Sequence, residues 1–257
     1  MTQPTANSRQ QEYFLWFDLD DTVWDMTGNS NIVLRKLFAE DYDVNEAYGK
    51  HGVDHWLDIY HKVNADLWRQ YAANEISRDF LRVERFARPL RMAGFGQDRA
   101  DEASRRLDGA YLWDLGSCTA LVDGAMEMLK AARRCNYRMG IVSNGFKEVQ
   151  FRKLESSGIS SFFNPVVLSD ELEINKPDPR FFAHALARAG VEADNSIMIG
   201  DNPETDIMGA LAAGWKKAIW YNPSSVEMPE NLTRYADRLV VAGSLEQIAR
   251  ILASAHI

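Results

Sequence analysis

Short apolar runs recur along the chain at 13–17 (YFLWF), 138–142 (RMGIV), 165–169 (PVVLS), 196–200 (SIMIG), 216–221 (KKAIWY) and 237–241 (DRLVV). Each has the length of a strand, and continuous apolar character suits strands buried on both faces. Helix-like stretches separate the last five. In 123–135 (DGAMEMLKAARRC), Met126, Leu129 and Lys130 keep helical spacing, and 177–190 (PDPRFFAHALARAG) has proline near its start and Gly190 at its end. Strand–helix alternation of this kind predicts an α/β fold, a Rossmann-like parallel sheet between two helical layers.

The stretch from Met26 to Ser117 breaks the rhythm and offers no convincing strand. Trp56, Ile59, Tyr60, Val63, Leu67 and Tyr71 recur at i, i+3, i+4, i+7 spacing, the stripe of an amphipathic helix. Ser77 is a candidate N-cap for a second helix, which Pro89 is expected to limit. The organisation expected is a loose polar tail at 1–12, an α/β core formed by 13–25 and 118–257, and an all-helical domain at 26–117 inserted after the first strand.

Composition changes this picture little. The 257 residues are 46% hydrophobic, ordinary for a globular chain. The formal charge of −8 opposes non-specific binding to nucleic acid. The insert, with 13 basic and 15 acidic residues, is the less acidic part. The two cysteines, Cys118 and Cys135, form no C-x-x-C pattern and read as small buried apolar residues. The N-terminal stretch has no apolar signal region, and no run approaches 18 apolar residues. A cytoplasmic protein without membrane or nucleic-acid partners is expected.

Candidate chemistry lies at the ends of predicted strands, where open parallel sheets bind ligands. Asp18, Asp20 and Asp21 follow the first strand, Ser143-Asn144-Gly145 the second, and Asp201 the fourth. Singly, each has a bland reading. D-x-D is weak, S-N-G is commonly a turn, Lys176 commonly solvated, and Asp206 a plain helix cap. The D-L-D-D-T run also resembles an EF-hand start, but Val23 stands at the glycine position and Asn29 at the position of the closing glutamate. Together, convergence from three distant segments favours a site. Clustered carboxylates attract a hard cation, with Asp18 and Asp201 the side-chain ligands expected for Mg²⁺. Ionised Asp18 can act as a nucleophile. Asp20 can protonate a leaving oxygen and then activate water. Ser143 and backbone N–H groups near Asn144 and Gly145 can hold phosphoryl oxygens, with Lys176 supplying positive charge.

In this order the motifs resemble the haloacid dehalogenase (HAD) superfamily of aspartate-nucleophile phosphohydrolases. Asp18 to Thr22 match its first motif, Ser143-Asn144-Gly145 the second, Lys176 the third, and Gly200-Asp201 through Asp206 the fourth. The resemblance implies Asp18 as nucleophile and Mg²⁺ ligand, Asp20 as general acid/base with its backbone carbonyl on the metal, and Asp201 completing the metal site. It implies Ser143 and Lys176 gripping the phosphoryl group, Asp206 orienting its neighbours, and the insert as a C1-type cap. Asp21 departs from the glycine of many members, and a local backbone role is expected for it. Dehalogenases lack the second aspartate, so Asp20 favours phosphoryl transfer.

The segments at 62–86 and 142–163 resemble bacterial 5′-nucleotidases acting on pyrimidine and noncanonical pyrimidine nucleotides, through Val63-Asn64, Leu67-Trp68, Arg85-Phe86 and Asn144-Gly145-Phe146. Trp24, Arg85 and Phe146 are the candidate substrate contacts, Trp24 and Phe146 weighed against ordinary packing and Arg85 against a solvated helix face. Trp68 reads as cap core. Arg78, Arg82, Arg85 and Arg88 fall near one helix face, most of it expected to be solvated and salt-bridged. The expected activity is a phosphomonoesterase acting through an aspartyl-phosphate on nucleoside 5′-monophosphates. The alternatives are a sugar-phosphate phosphatase or phosphomutase with the same core, or a catalytically inert binding module.

Overall fold

A computed structural model describes residues 12–254. The tail expected at 1–12 lies, apart from Glu12, outside the described residues. The chain forms two compact units. One consists of the segment up to Asp25 together with the chain from Thr119 onward; the other is Met26–Cys118.

The first unit is built on six parallel strands: β1 (Phe14–Phe17), β2 (Arg138–Ser143), β3 (Val166–Leu168), β4 (Ser196–Gly200), β5 (Lys217–Tyr221) and β6 (Leu239–Ala242). Their order is β3-β2-β1-β4-β5-β6. The chain winds outward from β1 in one direction and from β4 in the other. The switch point, where ligands bind in such sheets, therefore lies between the ends of β1 and β4. All four β1 side chains are buried, although successive ones point to opposite faces, so both faces are covered. On one face Trp16 packs against Phe14 (ring centroids 4.5 Å apart) and Trp215 (5.5 Å). Trp16 lies across β2 at Gly140, where an added Cβ would meet its ring at 2.7 Å.

The second unit contains helices α1 (Met26–Glu40), α2 (Tyr42–Tyr48), α3 (Val53–Ala72), α4 (Arg78–Met92) and α5 (Gln97–Leu115). The α3 stripe is buried at Trp56, Leu57, Tyr60, Val63, Leu67 and Tyr71, while Ile59 is only half-buried. Ser77 caps α4 by accepting from the Phe80 N–H at 3.2 Å. Pro89 does not end that helix, which runs on to Met92. A proline this close to a C-terminus removes one N–H, and the last turn is held instead by the Tyr48 hydroxyl (2.6 Å) and the Ala93 N–H (3.1 Å) on the Pro89 carbonyl.

The first unit also holds α6 (Ala125–Arg134), α7 (Lys147–Ser156), α8 (Ser169–Leu172), α9 (Pro179–Ala189), α10 (Gly209–Ala212) and α11 (Leu245–Ala253). Asp178 caps α9, and Gly190 closes it in the left-handed region with φ of 63°. Cys118 and Cys135 are half-buried, more exposed than the core residues expected. Among the described residues no helix is long and apolar enough to cross a membrane.

Candidate active site

β1 delivers Asp18 to the sheet edge. Its backbone N–H still bonds the Ile199 carbonyl of β4 at 2.9 Å, so the residue is the last rung of the ladder, and its side chain is buried. The chain then doubles back. The N–H groups of Val23 (3.0 Å) and Trp24 (2.8 Å) bond the Leu19 carbonyl, and the Asp21 N–H bonds the Trp24 carbonyl at 2.8 Å. Asp21 takes φ of +54°, in the left-handed region that favours glycine and that aspartate tolerates better than most residues.

Lys176 supplies the counter-charge for the buried carboxylates. Its ammonium donates to Asp18 Oδ1 at 2.6 Å, Asp206 Oδ1 at 2.7 Å and the Val142 carbonyl at 2.8 Å. All three ammonium hydrogens are thereby committed within the protein. Lys176 thus grips the expected nucleophile, and any bond to a phosphoryl oxygen requires one of these to be exchanged. Burial alone would lower its pKa, but Asp18 and Asp206 outweigh that and hold it above the usual lysine range.

Asp206 sits in a π-helical turn, Pro203–Met208, capped by the Asn202 side chain on the N–H groups of Glu204 and Thr205. Its Oδ2 accepts from the Asn202 N–H at 3.1 Å. Gly200 is glycine because Asp206 leans over it: a Cβ there would meet Asp206 Oδ2 at 2.5 Å and Cβ at 2.7 Å. Asp201 accepts from the Thr22 hydroxyl at 2.9 Å. Burial, reinforced by Asp206, pushes the Asp201 carboxyl up to about 7. Burial also holds Asp18 well above the carboxylate range against the pull of Lys176, with Asp206, Asp201 and Asp20 adding to the rise.

Asp18, Asp201 and Asp206 each offer an oxygen within 4.8 Å of the others, a hard-oxygen donor set that could hold a divalent cation. Both Asp206 oxygens already accept hydrogen bonds, whereas Asp18 meets Lys176, and Asp201 meets Thr22, through one oxygen each. Asp18 and Asp201 fit a ligand role better, with Asp206 as the anchor for Lys176.

Ser143 ends β2 beside Asp18. Its hydroxyl oxygen accepts from the Gly145 N–H at 3.0 Å and from Gln150 Nε2 at 2.7 Å. With both lone pairs engaged, its own proton is left to be donated outward. The expectation of a phosphoryl contact from the Gly145 N–H meets a competitor here, since that group is turned onto Ser143. The Asn144 side chain points elsewhere too: Oδ1 accepts from the Lys176 N–H at 2.8 Å and Nδ2 donates to the Lys176 carbonyl at 3.0 Å. It braces the lysine segment, leaving its backbone N–H as the group expected to face a phosphoryl oxygen.

Two residues that the motif reading missed complete the site. Lys153 donates to Asp20 Oδ1 at 2.6 Å and Gln150 Nε2 lies 2.9 Å from Asp20 Oδ2. A signal for them existed. Val149 and Leu154 mark the inner face of α7, and residues at 150 and 153 share that face at helical spacing.

The three candidate substrate contacts are all buried. Trp24 is wholly buried, its ring face taken by the Lys153 ammonium 4.5 Å from the centroid, so it is not an open stacking platform. Phe146 is buried at the start of α7. Arg85 is 2% exposed, ion-paired with Asp108 and lying 4.8 Å over the Tyr111 ring. It occupies the inner side of α4 with Leu81, inside the helical unit. Trp68 is half-buried against Tyr71.

Residues 15–214 match the family model described as haloacid dehalogenase-like hydrolase. The chain is 30% identical over 215 residues to the pyrimidine 5′-nucleotidase PynA of Streptococcus pneumoniae, covering 83% of this chain and 85% of that one. It is 30% identical over 220 residues to the pyrimidine 5′-nucleotidase YjjG of Escherichia coli, covering 85% and 90%. Among solved structures, the magnesium-bound HAD-hydrolase YfnB of Bacillus subtilis superposes with a TM-score of 0.79 at 26% identity, covering 93% of this chain and 98% of that one.

Proposed function

The chain belongs to the haloacid dehalogenase-like hydrolase family and is a phosphoric monoester hydrolase, and from that premise we propose that it is a Mg²⁺-dependent 5′-nucleotidase preferring pyrimidine nucleoside monophosphates. The observation that carries the chemical half of this reading is the separate housing of two aspartates. Asp18 is buried on Lys176, while Asp20, two residues on, is held by Lys153 and Gln150. Carboxylates in such different surroundings suit different tasks, one nucleophilic and one for proton transfer.

In the reaction proposed, an Asp18 oxygen attacks phosphorus and the bond to the ester oxygen breaks. Asp20 gives its proton to the departing alkoxide. Asp20 then takes a proton from water as that water attacks the aspartyl-phosphate, releasing phosphate and restoring Asp18. The Ser143 hydroxyl and backbone N–H groups around Asn144 orient the phosphoryl oxygens. Lys176 aims Asp18 and favours its charged form against the opposing effect of burial. Asp18, Asp201 and the Asp20 carbonyl would hold Mg²⁺, which when bound offsets the charge shared by carboxylates and phosphoryl group. The nucleotide preference rests on the two similar nucleotidases. A reducing cytoplasm is the compartment proposed.

Phosphate release from a panel of nucleoside monophosphates and sugar phosphates, with Asp18→Asn as control, tests this. Pyrimidine nucleotides are expected to exceed sugar phosphates in kcat/KM by at least about tenfold. Good turnover of a sugar phosphate beside no release from any nucleotide would sink the nucleotidase reading, and transfer to a second sugar hydroxyl would indicate a mutase.

A further inference from the structure

Helix α7 carries a buried polar pair that the established motifs leave unused. Gln150 and Lys153 are 0% and 2% exposed. A lysine in such a place is costly, and an apolar side chain of similar length would fill the space beside Trp24 without a charge to compensate. The Lys153 ammonium instead reaches Asp20 Oδ1, and Gln150 reaches Asp20 Oδ2. The two donors grip both oxygens of one carboxylate, which removes its freedom to rotate. Each oxygen keeps a further lone pair for the proton it carries. Gln150 uses the same amide nitrogen on Ser143 Oγ, at 2.7 Å, so the proton-transfer group and the outward-donating hydroxyl are set as one piece. Gly145 shows how tightly this is built: a Cβ there would meet the Gln150 amide nitrogen at 2.3 Å.

We infer that Lys153 and Gln150 are positioning residues for proton transfer: they fix the Asp20 carboxylate toward the leaving oxygen and tie it to Ser143. The inference rests on the phosphatase reading. Its consequence is specific to the leaving group. An alkoxide is too basic to leave unprotonated, whereas a nitrophenolate departs with little help. Misplacing Asp20 therefore harms cleavage of an alkyl ester far more than cleavage of an aryl ester. Loss of fold, or of phosphoryl binding at Ser143, harms both alike.

The test is rapid-quench measurement of the first turnover in the full chain with Mg²⁺. The two esters are 4-nitrophenyl phosphate and the best alkyl phosphate found in the substrate panel, whether nucleotide or sugar. For Lys153→Met the loss with the alkyl ester is expected to exceed the loss with the aryl ester by at least about thirtyfold, within the range of general acid catalysis. KM is expected to stay within about threefold, as for an interaction felt in the transition state. Gln150→Leu is expected to show the same sign. Lys153→Arg, which keeps the donor and charge, is expected to recover most of the alkyl rate and stands in if Lys153→Met does not fold. Equal losses with the two esters, or an undiminished alkyl rate, overturn the inference. A wild-type chain that releases alcohol from neither ester overturns the phosphatase reading itself, a result separable from both.

Discussion

The Asn144 side chain bonds the backbone of Lys176 in both directions, accepting its N–H at 2.8 Å and donating to its carbonyl at 3.0 Å. The end of β2 and the segment before α9 are thereby locked together. The lysine reaches Asp18, Asp206 and the Val142 carbonyl from that fixed base. Asn144→Ala removes both bonds and leaves the peptide groups to find other partners. A stability loss of about 1–3 kcal/mol is expected in urea unfolding. A fall in kcat of about tenfold or more, with a smaller change in KM, is expected as Lys176 loses its aim.

Gly145→Ala probes the contact beneath Gln150. The Cβ would stand 2.3 Å from Gln150 Nε2 and 2.4 Å from its Cδ, so the Gln150 side chain must leave Asp20 and Ser143. A clear loss of kcat is expected with modest destabilisation, because the obstacle is a side chain. The double variant Gly145→Ala/Gln150→Ala is expected to be no slower than Gln150→Ala alone, since the clashing atoms are gone. Additive losses in that cycle would show that Gly145 acts through another contact.

The acidic cluster sets a pH dependence. Asp201 is pushed from 3.8 to about 7, and Asp18 is raised as well. A carboxyl whose folded pKa exceeds its unfolded value binds more protons when folded, so the metal-free protein loses stability as pH rises between the two. Thermal unfolding without metal is expected at lower temperature at about pH 8 than at about pH 5.5. Mg²⁺ must displace those protons, so the rise in Tm it gives is expected to be larger at the higher pH. A Mg²⁺ effect independent of pH would count against Asp18 and Asp201 as ligands.

Within the second unit, Asp108 is the shared partner of two arginines. It pairs with buried Arg85 and lies 2.7 Å from Arg82. Removing it strands the Arg85 guanidinium among Tyr60, Phe86 and Tyr111. Asp108→Ala is expected to cost about 3–5 kcal/mol by urea unfolding, whereas Arg85→Met/Asp108→Leu, which removes both charges, is expected to cost much less.

The linear chain determined a great deal. Apolar runs of strand length, alternating with helices, dictate a sheet buried on both faces. Polar clusters directly after three of those runs fall at its carboxyl edge. Asp18, Ser143, Lys176, Asp201 and Asp206 were legible as one constellation because their chemistry makes sense only together. Their partners were not legible. Gln150 and Lys153 lie on α7 seven and ten residues past the second strand's end, on the face that Val149 and Leu154 mark, but helical spacing does not say which carboxylate they meet. Only the placement of β2 beside β1 brings that helix face over Asp20. The burial of Arg85 shows the same limit. Spacing along a helix says which residues share a face, but packing against other helices decides which face is covered. Asp21 shows the limit from the other side: its φ of +54° is a property of the turn, and no residue pattern states a dihedral angle. Local periodicity fixed the elements and the order of the chemistry; the burial of charge, and hence which cation answers which carboxylate, was decided by which strands became neighbours.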